Sequence, residues 1–174
     1  MGRGPGGDRN DQLGQTTLNA CFTQVSSRRK SRETALKILY QAEFAQNENI
    51  GDKVVEYFCE NPSDVGQREF AEILVEGVTK RKTDIDERLG KALKNWELSR
   101  LGYVERAILR LGVFEIIYQP VTPDKVAINE AIELAKTFCQ GESASLINGA
   151  LDYAMKEKNR AVQHDKNGKA KEDI

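Results

Sequence analysis

The chain has 174 residues, 39% hydrophobic and 30% charged, about one domain's worth of sequence with enough apolar material for a single core. A net charge of −1 and a pI near 6.0 exclude a globally basic nucleic-acid binder, whose pI would exceed roughly 9, so any such binding must come from local charge. No apolar run approaches the roughly 20 residues of a membrane-spanning helix, and the N-terminus lacks the apolar segment of a secretory signal, so a soluble, cytoplasmic protein without membrane contact is expected.

Residues 1–27 are rich in Gly, Asn, Gln, Ser and Thr; with little apolar surface to offset the entropy of ordering, they are expected to be disordered. A folded body is expected over residues 28–158. Ala35, Ile38, Leu39 and Ala42 form a first apolar stripe at helical spacing, and Asp52 to Phe58 ("DKVVEYF") is a short helix candidate. Phe70, Ile73, Leu74, Gly77 and Val78 form the next stripe, followed by Ile85, Leu89, Ala92, Leu93 and Trp96. "VERAILRLGVFEIIY", Val104 to Tyr118, is apolar nearly all round, as a helix wrapped by others would be. Its β-branched end could be a strand, yet no alternating partner strand exists for it. "TPDK" opens a helix with the stripe Ile128, Ala131, Ile132, Ala135 and Phe138, Thr122 serving as cap and Pro123 as first helical residue. Ser143 is expected to cap a last helix carrying Ile147, Ala150, Leu151 and Ala154. The tail, residues 159–174, again reads as disordered. The fold class is therefore all-α, a compact bundle of about seven helices with disordered ends.

Catalytic groups are scarce. The single histidine, His164, lies in the C-terminal tail, and no phosphate-cradling glycine loop is present. Cys21, Cys59 and Cys139 are scattered and odd in number, which suggests free thiols rather than disulfides or a zinc site. The acidic pairs Asp84/Asp86 and Glu130/Glu133 fit solvated helix faces. Neither an enzyme nor a metal or other cofactor is indicated.

The most informative stretch is "SSRRKSRETALKILYQAEF". Arg28, Arg29, Lys30, Arg32 and Lys37 stand there against one acid, Glu33. At about 100° per residue, Arg29, Arg32, Leu36 and Tyr40 align along one line of the helix, away from the apolar stripe. Positive charge at a helix start opposes the macrodipole, and a polyanion would relieve that opposition, with arginine forks on phosphates and a tyrosine face for a base. A basic edge can equally serve solubility, and charge alone leaves both readings open.

The segments "RRKSRETALKILYQAEF", "LVEGV", "YVERAILRLGVFEIIY" and "VAINEAIELAKTF…INGALD", in this order and spacing from Arg28 to Lys158, resemble the NusB family of bacterial transcription antitermination factors. The resemblance implies a helical bundle that binds boxA RNA of ribosomal RNA leaders as a heterodimer with NusE, a ribosomal protein. It also implies that the pair joins other Nus factors on RNA polymerase. Carried over by position, the family's arginine-rich motif falls on Arg28, Arg29, Lys30 and Arg32, and its helix tyrosine on Tyr40. Its other RNA-facing positions fall on Glu105, Phe138, Glu142 and Leu146. Two of these regions depart from the family pattern: Cys139 follows the phenylalanine where a glycine is frequent, and Leu146 stands where a second aromatic is common. Glu142 replaces a frequent aspartate.

From the residues alone, Phe138 and Tyr40 fit core packing as well as RNA contact, and Asn148 and Gly149 read as structural, Gly149 as a point of close helix approach. Two alternatives remain open at this level. One is a protein-interaction adaptor. The other is an RNA-binding module like those of ribosomal RNA methyltransferases, without the catalytic domain. A homodimer of the free protein is also compatible with the sequence.

Overall fold

The computed structural model describes residues 28–44, 49–93 and 97–169, with the side chains of 63–65 and 164–169 left aside. The N-terminal extension 1–27 and Trp96 lie outside the described residues. Helix α1 covers residues 28–44. It is followed by α2 (Ile50–Glu60), a 3-10 segment (Pro62–Gln67), α3 (Arg68–Lys80), α4 (Lys82–Ala92), a 3-10 turn (Leu98–Arg100), α5 (Tyr103–Tyr118), α6 (Asp124–Phe138) and α7 (Ser143–Lys169). No strand occurs among the described residues, so the β-branched end of α5 is helical. The expected all-α bundle of about seven helices is the fold.

Helix α5 is the axis. Ten consecutive residues from Ala107 to Ile116 are buried, and α3, α4, α6 and α7 all pack on it. Two glycines permit the closest approaches. A Cβ on Gly77 of α3 would lie 2.0 Å from the Phe114 ring, and one on Gly112 of α5 would lie 2.6 Å from a Leu151 methyl of α7. Gly149, expected to mark such an approach, has open space around it; the contact it was expected to make is supplied by Gly112.

Several local expectations are corrected. On α3 the buried set is Ala71, Leu74, Val75, Gly77 and Val78, while Ile73 is exposed: the buried face is centred on Ala71, Leu74, Val75 and Val78, about a quarter-turn from the expected stripe, with Gly77 at its edge against Phe114. Thr122 does not cap α6: Pro123 holds the cap position without a side-chain bond, and the buried Thr122 hydroxyl makes no hydrogen bond among the described residues. Ser143 is the first residue of α7 rather than its cap. The carbonyl of Glu142 accepts from the Ser145 and Leu146 N–H groups, while the Ser143 hydroxyl donates to Gln140 O and to a Glu105 carboxylate oxygen. The acidic pairs are not simply solvated. Asp86 accepts a two-pronged bond from Arg110, at 2.8 and 2.9 Å, Asp84 is bonded by Arg88 and the Tyr118 hydroxyl, and Glu130 holds an arginine of α1.

At the C-terminal end, Lys158 Nζ donates to Ile116 O at 2.6 Å and to Asp124 Oδ1 at 2.7 Å, tying α7 to the end of α5 and the start of α6. Helix α7 continues past this staple to Lys169, although residues 159–163 are exposed. A boundary at Lys158 therefore marks where packing ends and not where the helix ends, since a nucleated helix extends at little further cost through residues such as Arg160, Ala161 and Gln163.

Candidate functional site

Helix α1 buries a wider arc than a single stripe. Ala35 and Ile38 are fully buried, but Ser31, Arg32, Thr34 and Leu36 are also no more than 3% exposed. The expectation that Arg32 lies on an outer basic face is overturned. Its guanidinium forms a fork with Glu115 of α5, Nε to Oε1 at 2.8 Å and Nη2 to Oε2 at 2.7 Å, with both side chains almost wholly buried. Arg32 fixes α1 to the central helix. Leu36 is buried beside it and faces the core.

The other arm residues have different surroundings. Arg28 lies half-buried with its guanidinium 5.3 Å from the centre of the Phe70 ring, which Arg32 also approaches at 5.4 Å. Arg29 is 49% exposed along its side chain and is bonded through Nε and Nη2 to both oxygens of Glu130, each at 3.1 Å. The Glu130 hydrogen bond and charge raise Arg29 above its usual value. Lys30 and Lys37 are exposed, and no ion pair joins them to another described residue.

Two grooves open on either side of the start of α5, and α1 lines one of them. The first, of about 560 Å³, is lined by Leu36, Lys37, Tyr40, Gln41, Tyr57 and Phe138, among others. Tyr40 and Phe138, 40% and 39% exposed, thus share one depression instead of sinking into the core. On α6 Ile128, Ala131 and Ala135 are buried and Ile132 is partly buried, and Phe138 projects past them at the helix end. The second groove, also about 560 Å³, brings together Glu105, Glu142 and Leu146 with Arg100 and Leu101. Val104 lines the first groove and Glu105 the second, so the first turn of α5 contributes a wall to each.

Three local features build this corner. Glu105 accepts from the Gly102 N–H at 2.8 Å and from the Ser143 hydroxyl, fixing the start of α5 to the start of α7. Gly141 takes φ 67°, a left-handed conformation that favours glycine, and so turns the chain from α6 to place Glu142 at the groove edge. Leu146 is partly buried against the core and offers an aliphatic wall. Burial, with the nearby Glu105 charge, pushes the Cys139 thiol up.

Pattern reasoning missed several residues here. Tyr40 stacks edgewise on Phe44 at 5.1 Å, Phe44 meets Tyr103 at 4.8 Å, and Arg106 lies over Tyr103 at 4.6 Å. Tyr40 and Phe44 are four residues apart, the spacing of helix neighbours; that signal was available. Tyr103 carried none, since it precedes the apolar run.

These elements define an all-α protein with a basic first helix that runs into an aromatic groove, and with an acidic groove on the other side of the first turn of α5. A family model described as "NusB family" matches residues 29–156, and the chain belongs to the NusB family. Among relatives, the transcription antitermination protein NusB of Dehalococcoides mccartyi (strain CBDB1) is 41% identical over 132 residues, covering 76% of this chain and 92% of that protein. The NusB of Methylacidiphilum infernorum (isolate V4) is 35% identical over 134 residues, covering 77% and 94%. Among solved structures, T. maritima NusB superposes with a TM-score of 0.68 at 34% identity, covering 75% of this chain and 91% of that one. A structure of antitermination factors NusB and NusE in complex with dsRNA gives 0.68 at 28% identity, covering 76% and 98%.

Among the described residues, no helix is long and apolar enough to cross a membrane, and no cluster of metal-ligating side chains is found.

Proposed function

We propose that this chain is a transcription antitermination factor that binds single-stranded boxA-type RNA together with NusE. The observation that carries the reading is the sharing of one groove by Tyr40 and Phe138 with Lys37 on its wall, on the same helix whose earlier turns expose Arg29 and Lys30. A strand tracking the arm can place its phosphates on these cations while bases stack on the rings, an arrangement worth about 1 to 3 kcal/mol per stacked base. In the second groove, Glu105 and Glu142 present carboxylates suited to accept from base amino groups, and Arg100 adds a cation. Arg28 and Arg32 act through structure, by packing on Phe70 and by holding α1 against Glu115. A structural neighbour solved with NusE and double-stranded RNA supports binding of RNA together with NusE, as does the shared family, and the preference for a single strand rests on the exposed rings of the groove. Assembly with further Nus factors and RNA polymerase in the cytoplasm belongs to the same reading, and self-association of the free protein is a separate possibility that sedimentation would resolve. The test is titration of a boxA-like RNA across salt concentrations. Binding that weakens with a log–log slope near −0.7 per phosphate contacted supports the reading; binding that ignores salt favours the protein-adaptor alternative.

A further inference from the structure

The arm is less positive in the folded protein than its sequence suggests. Arg32 is matched by Glu115, and Arg29 is matched by Glu130. Around Arg29, a shallow depression is lined by Glu33 of α1 and by Glu130, Glu133, Leu134 and Thr137 of α6. Lys136 occupies Glu133 at 2.8 Å, which leaves Glu33 and Glu130 as the carboxylates nearest the Arg29 guanidinium. Glu130 is itself held in place. It is only 15% exposed, and Arg32 Nη1 approaches its Oε2, the oxygen that also accepts from Arg29 Nε, at 3.8 Å.

The hydrogen-bond pattern is directional. Glu130 takes the Nε–H and one Nη2–H of Arg29, the side edge of the guanidinium. The end edge, made of one Nη1–H and the remaining Nη2–H, is unused by this contact and is the edge an arginine can offer to a phosphate as a second fork. The pair therefore lowers the local positive potential and orients the remaining fork.

We propose that Glu130 is a specificity-determining, positioning residue of the RNA interface: it neutralises Arg29 toward polyanions in general while aiming its free fork at one phosphate of the docked RNA. The proposal rests on the reading that Arg29 contacts RNA. Loose, non-cognate binding depends on potential alone and is weakened by the nearby carboxylate. A docked strand depends on geometry and gains from a guanidinium that is already fixed, because less side-chain freedom is lost on binding.

The test measures affinities of the full chain for a boxA-like single-stranded RNA and for a scrambled RNA of the same composition, with melting curves as a control for folding. Glu130→Gln should tighten the scrambled RNA by about two- to fivefold, the range of an exposed ion pair, without an equal gain for boxA, so that discrimination falls. Glu130→Asp keeps the charge and shortens the arm; it should leave scrambled-RNA binding unchanged and weaken boxA binding. Both effects should vanish in an Arg29→Ala background. Equal changes for the two RNAs, or none, would overturn the role of Glu130. If Arg29→Ala alone leaves boxA affinity unchanged, the reading of Arg29 falls and this proposal with it.

Discussion

Replacing Arg32 by alanine is the sharpest test of how the fold uses its basic arm. As a surface residue, Arg32 would contribute within about 0.5 kcal/mol. In the structure its side chain is 4% exposed and Glu115 is 3% exposed, and three donor–acceptor contacts between 2.7 and 3.2 Å join them. Removing the guanidinium leaves the Glu115 carboxylate buried opposite a cavity, a loss of about 3 to 5 kcal/mol. That is a large part of the roughly 5 to 15 kcal/mol that stabilises a typical domain. With a urea m-value of about 2 kcal/mol/M, the unfolding midpoint should drop by about 2 M. Arg32→Met combined with Glu115→Leu fills the same space without a lone charge and should recover most of the loss, since apolar replacements of buried pairs are often neutral. The assay is equilibrium urea unfolding followed by circular dichroism. A single Arg32→Ala variant within 0.5 kcal/mol of the parent would refute the buried-anchor account, as would a double variant no more stable than the single one.

Phe138→Ala should lower stability by well under the about 3 to 5 kcal/mol of a fully buried phenylalanine, because the ring is 39% exposed, while RNA affinity falls; thermal melts and filter binding measure the two effects. Gly77→Ala should destabilise by about 1 to 3 kcal/mol despite better helix propensity, since the new Cβ would meet the Phe114 ring at 2.0 Å; chemical denaturation tests this. Burial raises the Glu43 carboxyl, but the charges of Arg110 and Lys82, with their hydrogen bonds, outweigh burial and hold it below its usual range. Its stabilisation is therefore fully present above the unfolded value of about 4.3 and lost as pH falls through the lower folded value. Glu43→Gln should flatten the acid limb of a stability–pH curve below that point while lowering stability at neutral pH.

The helical architecture was legible because its signal is local. The all-round apolar pattern from Val104 to Tyr118 could only be an interior helix, and ten of its residues are buried in succession. Positions set by distant partners were not legible. Arg32 reads as part of a basic face on a helical wheel, and its partners are distant in sequence: Glu115, 83 positions away, and the Phe70 ring make it an interior residue. Glu130 reads as a solvated acid until Arg29 is placed against it across 101 positions. The glycines show the same limit. Gly149 looks like a packing glycine by its neighbours, yet Gly77 and Gly112 hold that role because bulky side chains on other helices project at them. At the site, Tyr40, Glu105, Phe138, Glu142 and Leu146 could be marked by family resemblance, but their division between two grooves, one walled by Val104 and the other by Glu105, required the fold.

The central claim is that this chain and NusE act together on one RNA. The direct measurement is the affinity of the full chain for boxA-like RNA without and with saturating NusE. Two proteins that share an RNA and touch each other are linked, and coupling free energies of about 1 to 3 kcal/mol correspond to roughly 5- to 150-fold tighter binding. The account predicts tightening in that range, with RNA strengthening the pairing of the two proteins by the same factor. An RNA affinity that does not change when NusE is saturating would contradict it.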